Sequence, residues 1–255
     1  MNGHSERCGT DERSALADGR QVARTAPDAS IFAPQVPDAV LAFRERYRRE
    51  EIGPHYRGWA HFAFTSLACL AAVAFCLSRL HAVQDWEWAT VPLTFLFANL
   101  AEWAGHRGPM HHPRRGLRLI YQRHTRQHHR FFTPEHMAFD SPRDFKAVLF
   151  PPILLAFFFG VFALPVGAVL ALAATANVAY LFAATSVAYF LNYEWLHFAY
   201  HTPADSWIAH LPGIARLRRH HTRHHDPRLM TRCNFNITYP IADWLLGTDD
   251  RQRRS

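Results

Sequence analysis

Residues Ala168–His201 read AVLALAATANVAYLFAATSVAYFLNYEWLHFAYH. From Ala168 to Leu191 there is no charged side chain, and about 20 residues of helix suffice to cross a bilayer core of ~30 Å. The character then changes within one turn. Glu194 and Trp195 come first, and His197 and His201 follow at a spacing that puts both imidazoles on one helical face. The same order occurs upstream, where the run Ala89–Trp103 leads into EWAGHRGPMHH (Glu102–His112), with His106, His111 and His112 just past the apolar residues. A chain that twice sets histidines at the mouth of an apolar segment reads as an all-α membrane protein with its chemistry at one end of its helices.

Four apolar runs qualify as spans: Trp59–Leu77, Ala89–Trp103, Ala147–Val166 and Ala168–Leu191. The second gains length from Trp86 and Trp88 as interface anchors. The last two, separated only by the neighbourhood of Pro165–Gly167, form a helical hairpin. A mean hydropathy of −0.16 averages to a soluble value. Four such runs in 255 residues nevertheless leave too little polar chain to cover them as a soluble core. The chain carries 28 basic against 21 acidic residues, for a net charge of +7. Nine basic residues precede Trp59, nine lie between His106 and Lys146, nine lie from Arg216 onward, and Arg79 stands alone. The positive-inside rule then puts both termini and the middle segment in the cytoplasm, so that every histidine cluster shares one face. The expected architecture is a four-span transmembrane helix bundle with a cytoplasmic histidine-rich helical cap, in a bacterial inner membrane.

Residues 1–30 are polar and aperiodic, which reads as a disordered N-terminal tail. Residues 31–58 read as an interfacial amphipathic segment. A helix from Pro37, capped by Asp38, aligns Val40, Phe43 and Tyr47 on one face and ends at Gly53-Pro54, with Arg44, Arg46, Arg48 and Arg49 around its other sides. The membrane domain occupies 59–250, and 251–255 is a basic tail. No basic region followed by an apolar core marks a cleaved signal peptide at the N-terminus. Cys8, Cys69, Cys76 and Cys233 have the spacing of neither a disulfide framework nor a zinc–thiolate site.

Eighteen histidines are the outlying number. They concentrate in four clusters: His106 with His111 and His112; HTRQHH (His124, His128, His129); HFAYH (His197, His201); and RHHTRHH (His220, His221, His224, His225). Imidazole suits zinc, iron, copper and nickel at ~2.0–2.2 Å. One ion accepts about four or five such ligands, so that many convergent histidines imply two ions. The arginine-rich setting could instead contact phosphate, but nucleic-acid binding calls for arginines rather than phased histidines, and these arginines flank spans. No nucleic-acid partner is expected. A metal transporter needs ionisable groups inside its spans, and Phe62–Leu77, Ala89–Leu100 and Ala168–Leu191 hold none. Transport, or metal binding without catalysis, stays the alternative. His4, His55, His61, His81, His136 and His210 stand alone as surface or packing residues.

The ordered series H-x4-H, H-x3-H-H, H-x3-H and H-x2-H-H after paired apolar runs resembles the fatty acid hydroxylase superfamily. That membrane-bound group includes fatty acid and sphingolipid hydroxylases, sterol desaturases and sterol C4-methyl oxidases. The resemblance runs through EWAGHRGPMH, HTRQHHRFF, YEWLHFAYH, HHTRHH and the closing ITYPIADWLLGT. It implies two iron ions held by histidines, with zinc as a possible substitute, O2 as co-substrate, and a lipid substrate within the bilayer. His106 and His111 match the first box; His124, His128 and His129 the second; His197 and His201 the third; and His221, His224 and His225 the fourth. The second box departs from the commoner H-x2-H-H by one extra residue after His124. His112 and His220 are spare neighbours of the boxes. A fused cytochrome b5 domain has no counterpart in residues 1–58, so the resemblance implies a separate electron donor: a cytochrome b5-like protein, a ferredoxin or a reductase.

An alkyl C–H bond offers no acidic proton and no leaving group, so a metal–oxygen oxidant has to attack it. The sequence leaves hydroxylation and desaturation equally open. In this reading the spans deliver the hydrocarbon and the boxes at their ends oxidise it. Glu102 and Glu194 read either as acceptors that orient imidazole N–H groups from behind or as plain interfacial carboxylates.

Overall fold

The computed structural model describes residues 36–251. The tail expected over 1–30, the start of the 31–58 segment and all of the 251–255 tail but Arg251 lie outside the described residues. The helices are α1 (Asp38–Glu50), α2 (Gly58–Ser78), α3 (Thr90–Gly105), α4 (Arg118–Tyr121), α5 (His129–Phe131), α6 (Phe145–Val148), α7 (Pro152–Phe157), α8 (Leu164–Ala173), α9 (Ala176–Tyr200), α10 (Ile214–His224) and α11 (Ile241–Leu245). Among the described residues there is no strand, only an isolated bridge between Thr133 and His136. The chain is all-helical.

The axis of the molecule is α9, which packs against α2, α3, α8 and α10. Its sequence is apolar all round, and such a helix is stable only when enclosed by others. The helices around it show the complementary pattern. Leu67 on α2, Leu93 on α3 and Leu172 on α8 are exposed, Leu172 to 90%. Among the described residues two stretches are long and apolar enough to cross a membrane, Gly58–Ser78 and Pro142–Ala173. The 16-residue α3 falls below the usual spanning length of about 20.

The hairpin turns later than the sequence suggests. Pro165 and Gly167 lie inside α8, and a π-helical stretch Phe158–Ala163 joins α7 to α8 so that helix continues to Ala173. Proline lacks an N–H and tolerates the first turn of a helical segment, so Pro165 does not end the helix. The break falls at Ala174 and Thr175, where the Thr175 hydroxyl accepts from the Val178 N–H at 3.1 Å and caps α9. At this end of the bundle buried Glu87 accepts from Thr175 and, at 3.0 Å, from Asn177, joining the α2–α3 connection to the α8–α9 turn.

At the other end the helices are shorter and the core is aromatic. Phe131, Phe132, Phe145 and Phe198 are fully or almost fully buried there with Tyr47 and Leu149. Gly58 opens α2 against this layer, and a Cβ at that position would lie 1.9 Å from the Pro142 carbonyl oxygen. Helix α1 begins with Pro37 at its cap and Asp38 in its first turn, so Asp38 does not cap it. Two of the arginines assigned to its outer sides point inward. Arg44, 1% exposed, donates to the carbonyls of Phe131 (3.2 Å) and Ala138 (2.9 Å) and to Asp140 (3.1 Å). Arg48 grips Asp144 with Nε at 2.8 Å and Nη2 at 2.7 Å. Carboxylates over 140–144 thus draw the basic face of α1 onto the protein.

Candidate metal centre

All ten box histidines converge at this end of the bundle, each at most 7% exposed. Two groups form. His106, His111, His124, His129 and His224 offer ligand atoms that all lie within 4.8 Å of one another, and so do His128, His201, His221 and His225. His197 joins the second group, its Nε2 3.1 Å from that of His128. The groups adjoin, for the His129 and His225 rings stack at 4.2 Å.

Local backbone geometry explains the convergence. Past α3 the chain winds into a π-helical turn at His106–Met110, interrupted at Gly108 and Pro109. The His106 and His111 rings, five residues apart, come to lie parallel at 5.2 Å. A second π-helical segment, Gln122–His128, carries the box with the extra residue. The His129 N–H reaches back to the His124 carbonyl, an i→i+5 bond of the wider helix. That wider turn absorbs the insertion: His124 Nε2 lies 2.8 Å from His106 Nε2 and 3.1 Å from His129 Nε2. His197 and His201 stand one turn apart at the end of α9, and His221, His224 and His225 at the end of α10.

The hydrogen bonds fix the tautomers of several rings, assigned here from their partners. Nδ1 of His128 meets the Ala147 carbonyl at 2.9 Å, Nδ1 of His225 the Phe132 carbonyl at 2.7 Å, Nδ1 of His201 the Met137 carbonyl at 2.7 Å and Nδ1 of His224 the Cys233 carbonyl at 3.1 Å. A carbonyl only accepts, so each Nδ1 carries the proton and each Nε2 is a bare lone pair. His111 follows the same logic one step removed. The Thr125 hydroxyl donates to the Met110 carbonyl at 2.6 Å and therefore accepts from His111 Nδ1 at 3.1 Å.

Two contacts then have no proton between their atoms. Nε2 of His128 faces Nε2 of His225 at 3.2 Å, and Nε2 of His111 faces Nε2 of His224 at 2.9 Å. Lone pair against lone pair at hydrogen-bond distance, in a buried site, is repulsive unless a cation lies between them. One such pair occurs in each group. Burial also keeps the rings neutral, lowering His128 to about 3, His224 to about 4 and His111 to about 2. Neutral imidazole is the form that binds metal. The clusters fit metal binding.

A match to the fatty acid hydroxylase family model covers residues 91–248. The chain belongs to the fatty acid hydroxylase family. No curated protein and no solved structure matches it. The family domain opens in α3 and closes just beyond α11, so it includes every box histidine.

The other sequence candidates have separate places. His112 is exposed, and His220 turns to Asp243, 3.4 Å from its carboxylate. His61 bridges Tyr56 and the Phe150 carbonyl, and His136 pairs with Asp140 at 3.1 Å. His55 and His210 are exposed, His81 contacts Asn177 through its backbone, and His4 lies outside the described residues. Glu102 and Glu194 do not orient imidazoles. Glu102 collects the N–H groups of Ile237 and Thr238 and the hydroxyls of Tyr189 (2.5 Å) and Thr238 (2.6 Å), while Glu194 takes the Phe150 N–H at 3.3 Å. Backbone carbonyls do the orienting instead, and no residue type announces those. Thr125 was missed as well, although its place inside HTRQHH, one residue from His124, is a usable signal.

Proposed function

We propose that this chain is a membrane-bound non-haem di-iron enzyme that hydroxylates or desaturates the hydrocarbon part of a lipid, using O2 and electrons from a separate protein. The observation that carries the reading is the pair of proton-free Nε2 contacts, one in each histidine group. Two unsatisfied pairs call for two cations. His106, His111, His124, His129 and His224 would hold one, and His128, His197, His201, His221 and His225 the other. Iron at such a centre, with O2, supplies the oxidising power to break an unactivated C–H bond, which no side chain has. The carbonyls of Ala147, Phe132, Met137 and Cys233, with Thr125, hold the rings at fixed angles, which conserves affinity and geometry. Burial of every ligand ring excludes bulk water and so protects a reactive centre from side reactions.

Four spans remain the architecture we favour. Trp86 and Trp88 lie exposed just before α3, and Leu93, Leu96, Phe97 and Leu100 project from its outer side. That pattern suits lipid contact with aromatic anchoring at the interface. With α2, the α7–α8 stretch and the enclosed α9, it makes four crossings. The distribution of arginines then orients the histidine end and both termini toward the cytoplasm, in a bacterial inner membrane. Elemental analysis of the purified protein tests the function directly. Close to two metal ions per chain are expected, iron when iron is supplied and zinc when it replaces iron; none, or one, would overturn the two-ion reading.

A further inference from the structure

Beside the histidine groups, a surface pocket of about 370 Å³ is lined by Trp103, Ala104, Arg107, Gly108, His112 and Arg114. Arg107 lies over the Trp103 ring at 5.0 Å, and Arg107, Arg114, Arg115 and Arg118 are all exposed. Among the described residues none of these four arginines forms an ion pair, whereas Arg44, Arg48, Arg223 and Arg228 do. Their charge is therefore free to act on an approaching body. From Trp103 a line of aromatic rings runs inward, away from the pocket. Trp103 meets Phe235 edge-to-face at 6.0 Å, and Phe235 meets the rings of His106 and His224 at 6.3 and 6.1 Å. The Trp103 indole is fixed by donating to Thr248 at 2.9 Å, and Phe235 is fully buried. A continuous ring path thus joins a positive surface to two histidines of the first group.

We propose that this pocket is the docking face for an acidic one-electron carrier protein, and that Trp103 and Phe235 are the route by which its electron reaches the metal centre. The inference rests on the function proposed above. In each docking event the carrier is oxidised by one electron and the metal centre is reduced by one, and two such events supply the pair that oxidation by O2 requires. An anionic lipid headgroup would satisfy the arginines equally well, but it would have no use for the ring path, which is why the carrier is favoured.

The test uses the full chain in detergent, first without metal. It is titrated with the soluble domain of a cytochrome b5 and with a [2Fe–2S] ferredoxin, at low and high salt. At least one should bind, more weakly at high salt. The double change R107E/R114E should weaken that binding by about tenfold or more at low salt, and the same charge change at the exposed pair R216E/R219E should weaken it far less. Equal weakening by both, or no binding of either carrier, would overturn the docking face. So would a result in which R107E/R114E spares carrier binding and abolishes retention on phosphatidylglycerol vesicles, since that assigns the arginines to lipid. With metal restored, Trp103→Leu and Trp103→Phe separate the route from the surface. With carrier at saturating concentration, Trp103→Leu should slow carrier-delivered reduction, Trp103→Phe should slow it less, and reduction by dithionite should match the unchanged protein in both. Slowing with dithionite as well would exclude Trp103 from the route. Failure of the chain to take up metal at all would defeat the proposed function while leaving the carrier titrations fully readable.

Discussion

Thr125→Val is the most discriminating single change, because it acts on one metal group and replaces no metal ligand. The hydroxyl it removes accepts from His111 Nδ1 at 3.1 Å and donates to the Met110 carbonyl at 2.6 Å. Valine has nearly the same shape, so packing is preserved while two part-buried polar groups lose their partner. An unsatisfied buried donor or acceptor costs about 1–3 kcal/mol. Part of that is relieved if the His111 ring rotates or shifts its proton to Nε2, and either move spoils its lone pair as a ligand. A loss of about 1.4–2.8 kcal/mol in binding corresponds to a ten- to hundredfold weaker affinity, the range typical of groups that orient a metal-binding histidine. The effect should fall on one ion only, because His111 belongs to the group with His106, His124, His129 and His224. Stepwise extraction with a chelator, followed by elemental analysis, would show one ion released at about ten- to hundredfold lower chelator activity and the other unchanged. Thr125→Ser should restore both. Simultaneous loss of both ions, or unchanged affinity for both, would refute the assignment of tautomers on which the two-site reading stands.

His197→Ala, His225→Ala and His124→Ala should each abolish lipid oxidation and lower metal content, whereas His136→Ala and His210→Ala should retain most activity; mass spectrometry of cell lipids beside metal analysis reads both. Reporter fusions at Leu80–Gln84 and at Ala174–Thr175 should report the outer side, and fusions near Arg115 and after Arg251 the cytoplasm; opposite sides for the last two would separate the halves of the histidine cluster. In metal-free protein the folded pKa of His128 (about 3) and of His224 (about 4) lies below the unfolded value near 6.5. The unfolded chain then takes protons first as pH falls, so stability should be level above about pH 7 and drop from there toward pH 4, by about 1.4 kcal/mol per pH unit for each group. A Tm that stays constant from about pH 8 to about pH 5 would show that the rings are not buried as neutral groups.

Much of this molecule is legible in its sequence because it is written in two coarse signals. Uncharged runs of spanning length mark helices whatever their neighbours, and histidines three to five apart mark a shared direction. Finer features need partners that sequence does not pair. Arg44 and Arg48 read as outward because an arginine on a helix usually is, and only the carboxylates of Asp140 and Asp144, almost 100 residues away, turn them in. The sequence puts the hairpin turn at Pro165–Gly167 because only that neighbourhood separates the two uncharged runs. That expectation misses the preceding π-helical stretch, after which Pro165 sits in a first turn, and the Thr175 hydroxyl that caps the next helix.

The extra residue in HTRQHH shows how the two levels connect. On an ordinary α-helix, at 3.6 residues per turn, His124 and His128 share a face and His129 lies about 100° round from His128. The three rings would then divide between two directions. A π-helical turn, closed by the His129 N–H on the His124 carbonyl, brings residues five apart nearly into line. His124 and His129 accordingly fall into one metal group, their Nε2 atoms 3.1 Å apart, while His128 is released to the other. The insertion therefore does not cost the box a ligand. It makes one short segment serve both groups, and that fixes their spacing, because His128 and His129 are adjacent in the chain and cannot move apart. Deleting Gln127 would shorten the box to the commoner H-x2-H-H. If the wide turn is what divides the histidines, the deletion should collapse the segment to α-helix and lower the metal content from two ions toward one, even though every histidine remains. Two firmly bound ions in that deletion variant would show that the division between the groups is set elsewhere.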